Sequence, residues 1–140
     1  MDFFCKLYEW KFNFENEALS AFFNLADHLL LLAQDAQTQE KNTPDCPYCE
    51  LSNGYISARE KFKLCCGELL KTENVMSVLA KLDLCFEQMH GEEVRCFDSK
   101  IFYLHQWGEL RELAIRALKA LQWCEIEPVR EQLDTYSKYN

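Results

Sequence analysis

The sequence predicts an all-α protein, a single domain built as a bundle of about five helices. Three observations carry that expectation. Apolar residues recur at three- and four-residue spacing through most of the chain. The pattern is longest from Asp98 to Cys124, where Ile101, Leu104, Trp107, Leu110, Ala114, Ala117, Leu118 and Leu121 share one helical face. Glycine (4) and proline (3) are scarce, whereas an all-β fold needs a turn about every 8–12 residues. A chain of 140 residues, 49% of them hydrophobic, is also long enough to bury a core without staples.

Residues 1–12 admit two periods. Tyr8, Trp10, Phe12 and Phe14 alternate with polar residues as in a strand, while Phe3, Leu7, Trp10 and Phe14 fit a helical stripe. A lone strand has no partner for its backbone groups, so a short helix is expected. The strand would require a homodimer through this segment or addition to a partner's sheet. Asn13 or Asn16 is then expected to cap a helix running to about Gln37. Its stripe is Ala18, Phe22, Leu25, Leu29 and Leu32, widened by Leu19, Phe23, Ala26, Leu30 and Ala33, and a face that broad touches more than one neighbour.

A cysteine-containing loop is expected over residues 38–54, which hold Thr43-Pro44-Asp45, Cys46-Pro47-Tyr48-Cys49 and Ser52-Asn53-Gly54. A third helix follows over Tyr55–Lys71, with Ile56, Phe62, Cys65 or Cys66, and Leu69 facing inward. A fourth, capped by Thr72 or Asn74, buries Val75, Val78, Leu79, Leu82, Phe86 and Met89 and closes at Gly91. The helix near 98–124, started by Asp98 or Ser99 and stopped before Pro128, would be a rod of roughly 40 Å. Val129, Leu133 and Tyr136 support a short terminal helix.

The formal charge is −8, from 23 acidic and 15 basic residues. That disfavours a general nucleic-acid binder, which needs a basic face to displace counterions. It fits a protein partner with a basic surface, including one that itself binds nucleic acid. The candidate partner-binding acids are Glu92 and Glu93, and Glu125, Glu127, Glu131 and Asp134. No signal-peptide pattern opens the chain. The most apolar run, 18–33, is interrupted by Asn24, Asp27 and His28 and is shorter than the ~20 residues of a membrane span. A cytoplasmic protein that stays off membranes is expected, with its eight cysteines mostly thiols and several of them small buried hydrophobes.

Cys46-Pro47-Tyr48-Cys49 is the one short motif with chemical meaning. Two cysteines at this spacing supply half of a tetrahedral zinc site. Cys65 and Cys66 follow at the distance a zinc ribbon uses. The four form a candidate site for one structural zinc, completed where needed by His28, His90, Cys85 or Cys96. Cys65 and Cys66 are adjacent, so on a helix they point about 100° apart and only one would ligate.

The same four residues resemble the active-site motif of the glutaredoxins. That resemblance implies thiol–disulfide exchange, in which one thiolate attacks and the second cysteine resolves. It covers four residues. The family's motif follows a strand and precedes a cis-proline loop, whereas here a helical segment precedes it and the later proline is Pro128. His105 and Glu109 stand at i,i+4, a spacing that can share a metal or a proton, beside Gly108, which costs a helix about 1 kcal/mol against alanine.

No phosphate loop, nucleophile elbow, H-E-x-x-H or calcium loop is present. The leading expectation is a non-catalytic acidic helical protein of the inhibitor, immunity-protein or phage and mobile-element antagonist type, which blocks a basic surface. A small zinc-stabilised helical domain is the alternative, and a thiol oxidoreductase the third reading.

Overall fold

In the computed structural model, which describes residues 2–42, 47–67, 74–90 and 99–133, Asp2 starts the first helix, α1 (Phe3–Phe12). Its carboxylate accepts the N–H groups of Phe4 at 3.0 Å and Cys5 at 3.4 Å, two donors with no partner inside the helix. The helical reading of this segment holds, and Phe3, Leu7 and Trp10 are buried. Phe14 departs from the expected stripe. The helix stops at Phe12, and Phe14 turns the chain in the left-handed region at φ 58, which costs an L-residue roughly 1–2 kcal/mol. Phe12 and Phe14 are left 84% and 83% exposed.

The second helix is α2 (Asn16–Ala33). α2 buries Ala18, Leu19, Ala21, Phe22, Phe23, Leu25, Ala26, Leu29 and Leu32. Glu15 precedes it without a side-chain cap, so neither Asn13 nor Asn16 plays that part. The helix also ends before Gln37. Gln34 is extended (ψ 154), and Asp35 then caps a further helix, α3 (Ala36–Asn42), by accepting the Thr38 N–H at 2.9 Å. These bonds hold the Asp35 carboxyl below the usual range.

The predicted loop over 38–54 is thus largely helical, because α3 is followed by α4 (Pro47–Cys65). Pro47 opens α4, at the helix end where a missing N–H costs nothing. Thr43 to Cys46 lie outside the described residues. Gly54 is not a turn residue. It sits inside α4 against α2, where a Cβ would stand 2.7 Å from His28 Cε1. The inward residues of α4 are Leu51, Tyr55, Ala58 and Phe62, while Ile56 faces out. Phe62 and Cys66 are buried as expected, Tyr55 takes the inward place expected of Ile56, and Leu69 lies outside the described residues.

α5 (Val75–His90) buries the residues its spacing predicts and Cys85 besides. Gly91, its expected closing residue, lies outside the described residues. The long rod is broken twice. Ser99–Tyr103 is a 3-10 turn, Leu104 is extended (ψ 150), and α6 runs only over His105–Ala120, about 24 Å. The break places the buried Ile101 and Phe102 on the 3-10 turn ahead of α6. Leu104, counted on the inward face, is exposed in consequence. At the other end Gln122 is left-handed (φ 60), and its Oε1 accepts the Phe3 N–H at 2.8 Å. After it come α7 (Trp123–Ile126), a 3-10 turn (Glu127–Val129) and α8 (Arg130–Leu133).

α2, α4, α5 and α6 close a ring: α2 lies between α4 and α6, and α5 packs on α6. Cys85 Sγ is 3.8 Å from Glu109 Oε2, and the first turns of α5 face the last turns of α6, so these two run antiparallel. Among the described residues there is no strand, and no helix is long and apolar enough to cross a membrane.

His28 carries a consequence for pH. Burial against α4 pushes its imidazole below the ordinary value, opposed by the nearby Asp27 carboxylate. The folded site favours the neutral ring. The stability it contributes is therefore present above the unfolded value of ~6.5 and is lost as pH falls through it. Melting temperatures of the wild type and His28→Gln, compared between about pH 7.5 and about pH 5.5, should diverge, with the wild type losing more. Equal slopes would show that His28 is not responsible.

Candidate functional site

The segment after Gln122 is pinned from beneath. Trp123, Ile126 and Leu133 are buried. Arg130 forks onto Asp27 of α2, with Nη1 2.7 Å from Oδ1 and Nη2 2.8 Å from Oδ2, a bidentate geometry that fixes direction as well as distance. Its guanidinium also lies 5.0 Å from the Phe23 ring centroid and 5.7 Å from that of Trp123. With the apolar residues turned inward, Glu125, Glu127 and Glu131 are exposed on the outer side. Three of the predicted partner-binding acids thus stand on one locked strip. Asp134, Glu92 and Glu93 lie outside the described residues.

The strip abuts α1. The Tyr8 hydroxyl donates to Gln132 Oε1 at 3.0 Å. Phe12 lies one turn beyond Tyr8 on the same side of α1. The acidic strip therefore continues toward the bared aromatics Phe12 and Phe14. Sequence reasoning placed both within the first segment's pattern and missed their exposure, which follows from the helix ending at Phe12.

Cys49, Cys65 and Cys66 do not converge. Cys49 lies in the first turn of α4 and Cys65 is its last residue, about 24 Å apart along one rigid axis. Cys66 is buried, and its thiol donates to the Ala18 carbonyl at 3.3 Å. Burial pushes it up to about 12, away from the thiolate that a zinc ligand must be. Cys46 lies outside the described residues, as does Cys96. A zinc on Cys46 and Cys49 would need its other ligands from somewhere other than Cys65 and Cys66. Among the described residues no three His, Cys, Asp or Glu side chains group closely enough to hold a metal.

His105 and Glu109 do meet, with Nε2 3.1 Å from Oε1, but on an exposed face, where such a pair contributes little. Glu109 also faces Cys85, whose thiol is raised by burial and then by that carboxylate.

A concavity opens where the ring is least closed, between α4 and α5. It is a groove of about 410 Å³ bordered by Cys49, Asn53 and Ile56 on one wall and Asp83, Phe86 and Glu87 on the other. Behind its Asp83 wall the buried Tyr55 hydroxyl is 3.1 Å from Asp83 Oδ1. Arg59 Nε stands 3.2 Å from the same oxygen, close enough for an ion pair but off the line of a hydrogen bond. Burial raises the Asp83 carboxyl, while Arg59 and the tyrosine hydroxyl pull it back. The i,i+4 spacing of Tyr55 and Arg59 was visible in the sequence; their partner on α5 was not.

The chain matches no known protein-family model, no curated protein and no solved structure.

Proposed function

We propose that the protein works by binding another macromolecule rather than by catalysis, as an inhibitor, an immunity protein or a phage or mobile-element antagonist that blocks a basic surface. The observation that supports this reading best is the locked strip bearing Glu125, Glu127 and Glu131 beside the exposed Phe12 and Phe14. Carboxylates held on a pinned backbone lose little freedom on meeting lysines and arginines, and they steer the encounter. Large exposed aromatics supply the apolar anchor that a charged rim alone lacks. The partner is a protein with a basic face, including one that uses that face for nucleic acid.

The test compares proteins captured from the native host by the wild type and by Glu125→Lys/Glu127→Lys/Glu131→Lys. The three positions are exposed, so the fold should survive. A basic partner should bind the wild type with steep salt dependence, and charge reversal should weaken it by roughly 100-fold. Undiminished binding of the same partner by the reversed variant, insensitive to salt, would dismiss the proposal.

A further inference from the structure

Against the acidic exterior, one groove is basic. Asn74 and, on α5, Ser77, Val78 and Lys81 stand on successive turns of one face, and Arg116, Lys119 and Ala120 do so on α6. The antiparallel packing brings these faces together around a cleft of about 580 Å³. Three cations, a hydroxyl and a side-chain amide line it, and among the described residues no carboxylate does.

Lys6, Arg59, Lys100 and Arg130 each have a carboxylate within 4.0 Å, and Arg111 is held by carbonyl oxygens. Lys81, Arg116 and Lys119 have no such counterion among the described residues. Lys41, Lys61 and Lys63, which are also exposed, have no such counterion among the described residues, so a missing counterion alone marks nothing, and the groove is set apart by three cations around one cleft. The carbonyl end of α6 accounts for a cation at Lys119, in its last turn. It does not account for Lys81 on the opposite helix. Three like charges gathered in one concavity repel one another, and a multiply charged anion relieves that repulsion.

We propose that the α5–α6 groove is a binding site for a compact ligand carrying a diphosphate group. Arg116 supplies the planar fork that matches phosphate oxygens, the two lysines add charge, and Ser77 and Asn74 offer neutral donors. Among the described residues no aromatic ring lines the groove to stack a base, so the phosphates themselves are what it reads. The net charge of −8 opposes an extended nucleic acid. The site lies apart from the acidic strip and does not depend on its function.

The test is titration calorimetry of the full chain with inorganic pyrophosphate at low ionic strength, and with ADP to present the same group on an organic body. Saturable uptake of either is expected. It should weaken about tenfold or more in Lys81→Gln/Arg116→Gln/Lys119→Gln, all exposed positions. It should be unchanged in Lys61→Gln/Lys63→Gln, two exposed lysines on α4. In the wild type, amide shifts induced by pyrophosphate should centre on Ser77, Lys81, Arg116 and Lys119, a readout that needs no variant. Failure of both anions to saturate, equal weakening by the α4 pair, or shifts centred elsewhere would overturn the assignment.

Discussion

Gln39→Leu should destabilise the protein by roughly 3–5 kcal/mol, a large effect for an isosteric change in a residue that sequence patterning places in a loop. Gln39 is 1% exposed. Its Nε2 donates to the carbonyls of Leu31 at 3.0 Å and Leu32 at 3.2 Å, which end α2. Its Oε1 accepts from Trp107 Nε1 at 3.1 Å and from Arg111 Nη2 at 2.8 Å. Turning the amide over would set donor against donor on one side and acceptor against acceptor on the other, so this orientation is the one the network allows.

Leucine keeps the volume and removes every bond. It leaves the indole N–H and two carbonyls buried without partners. Arg111 would retain Gln34 O at 2.7 Å and Phe102 O at 3.3 Å, which bounds the loss. Urea unfolding measures it, and a change below about 1 kcal/mol would show that water or rearrangement replaces the amide.

Trp107→Ala is expected to cost a similar 3–5 kcal/mol, here by leaving a cavity. The ring is fully buried. It stands edge-on to Phe102 at 5.0 Å, Phe86 at 6.3 Å and Tyr48 at 6.4 Å between centroids, joining α4, α5 and the 3-10 turn at one point. Trp107→Phe keeps most of that packing and drops the N–H, so its loss should be smaller. Because the indole and Gln39 share a hydrogen bond, Gln39→Leu/Trp107→Phe should lose less than the two single changes added together. Strict additivity in the same urea experiment would mean that the bond contributes nothing.

Both residues show where sequence reading stops. The helical class, the inward face of α5 and most of the inward face of α2 were legible, because an apolar residue every three or four positions has few other solutions in water. The helical answer for α1 was legible too, since a single strand cannot satisfy its own backbone. The ends of elements were not. Residues 98–124 read as one rod because Ile101, Leu104 and Trp107 keep helical spacing, and the extended backbone of Leu104 that interrupts it leaves no mark on that periodicity. Gly54 reads as a turn residue from its neighbours Ser52 and Asn53, and its actual use is close approach to His28, a residue on another helix.

The candidate sites divide the same way. Glu125, Glu127 and Glu131 were found from composition, but what makes them one strip is the Arg130 fork onto Asp27, a contact between distant parts of the chain. Cys49 and Cys65 looked like partners by spacing, and α4, running unbroken between them, holds them apart. Lys81, Arg116 and Lys119 gave no signal at all, since only the antiparallel pairing of α5 with α6 makes them neighbours. The sequence by itself determined that the chain is helical, acidic and amply provided with core residues, because those are sums and periods along one dimension. Which helices touch, where they break and which charges share a space were decided by tertiary packing. Close-packed side chains from distant segments choose one another by shape and by unmet hydrogen bonds, and neither is written in local order.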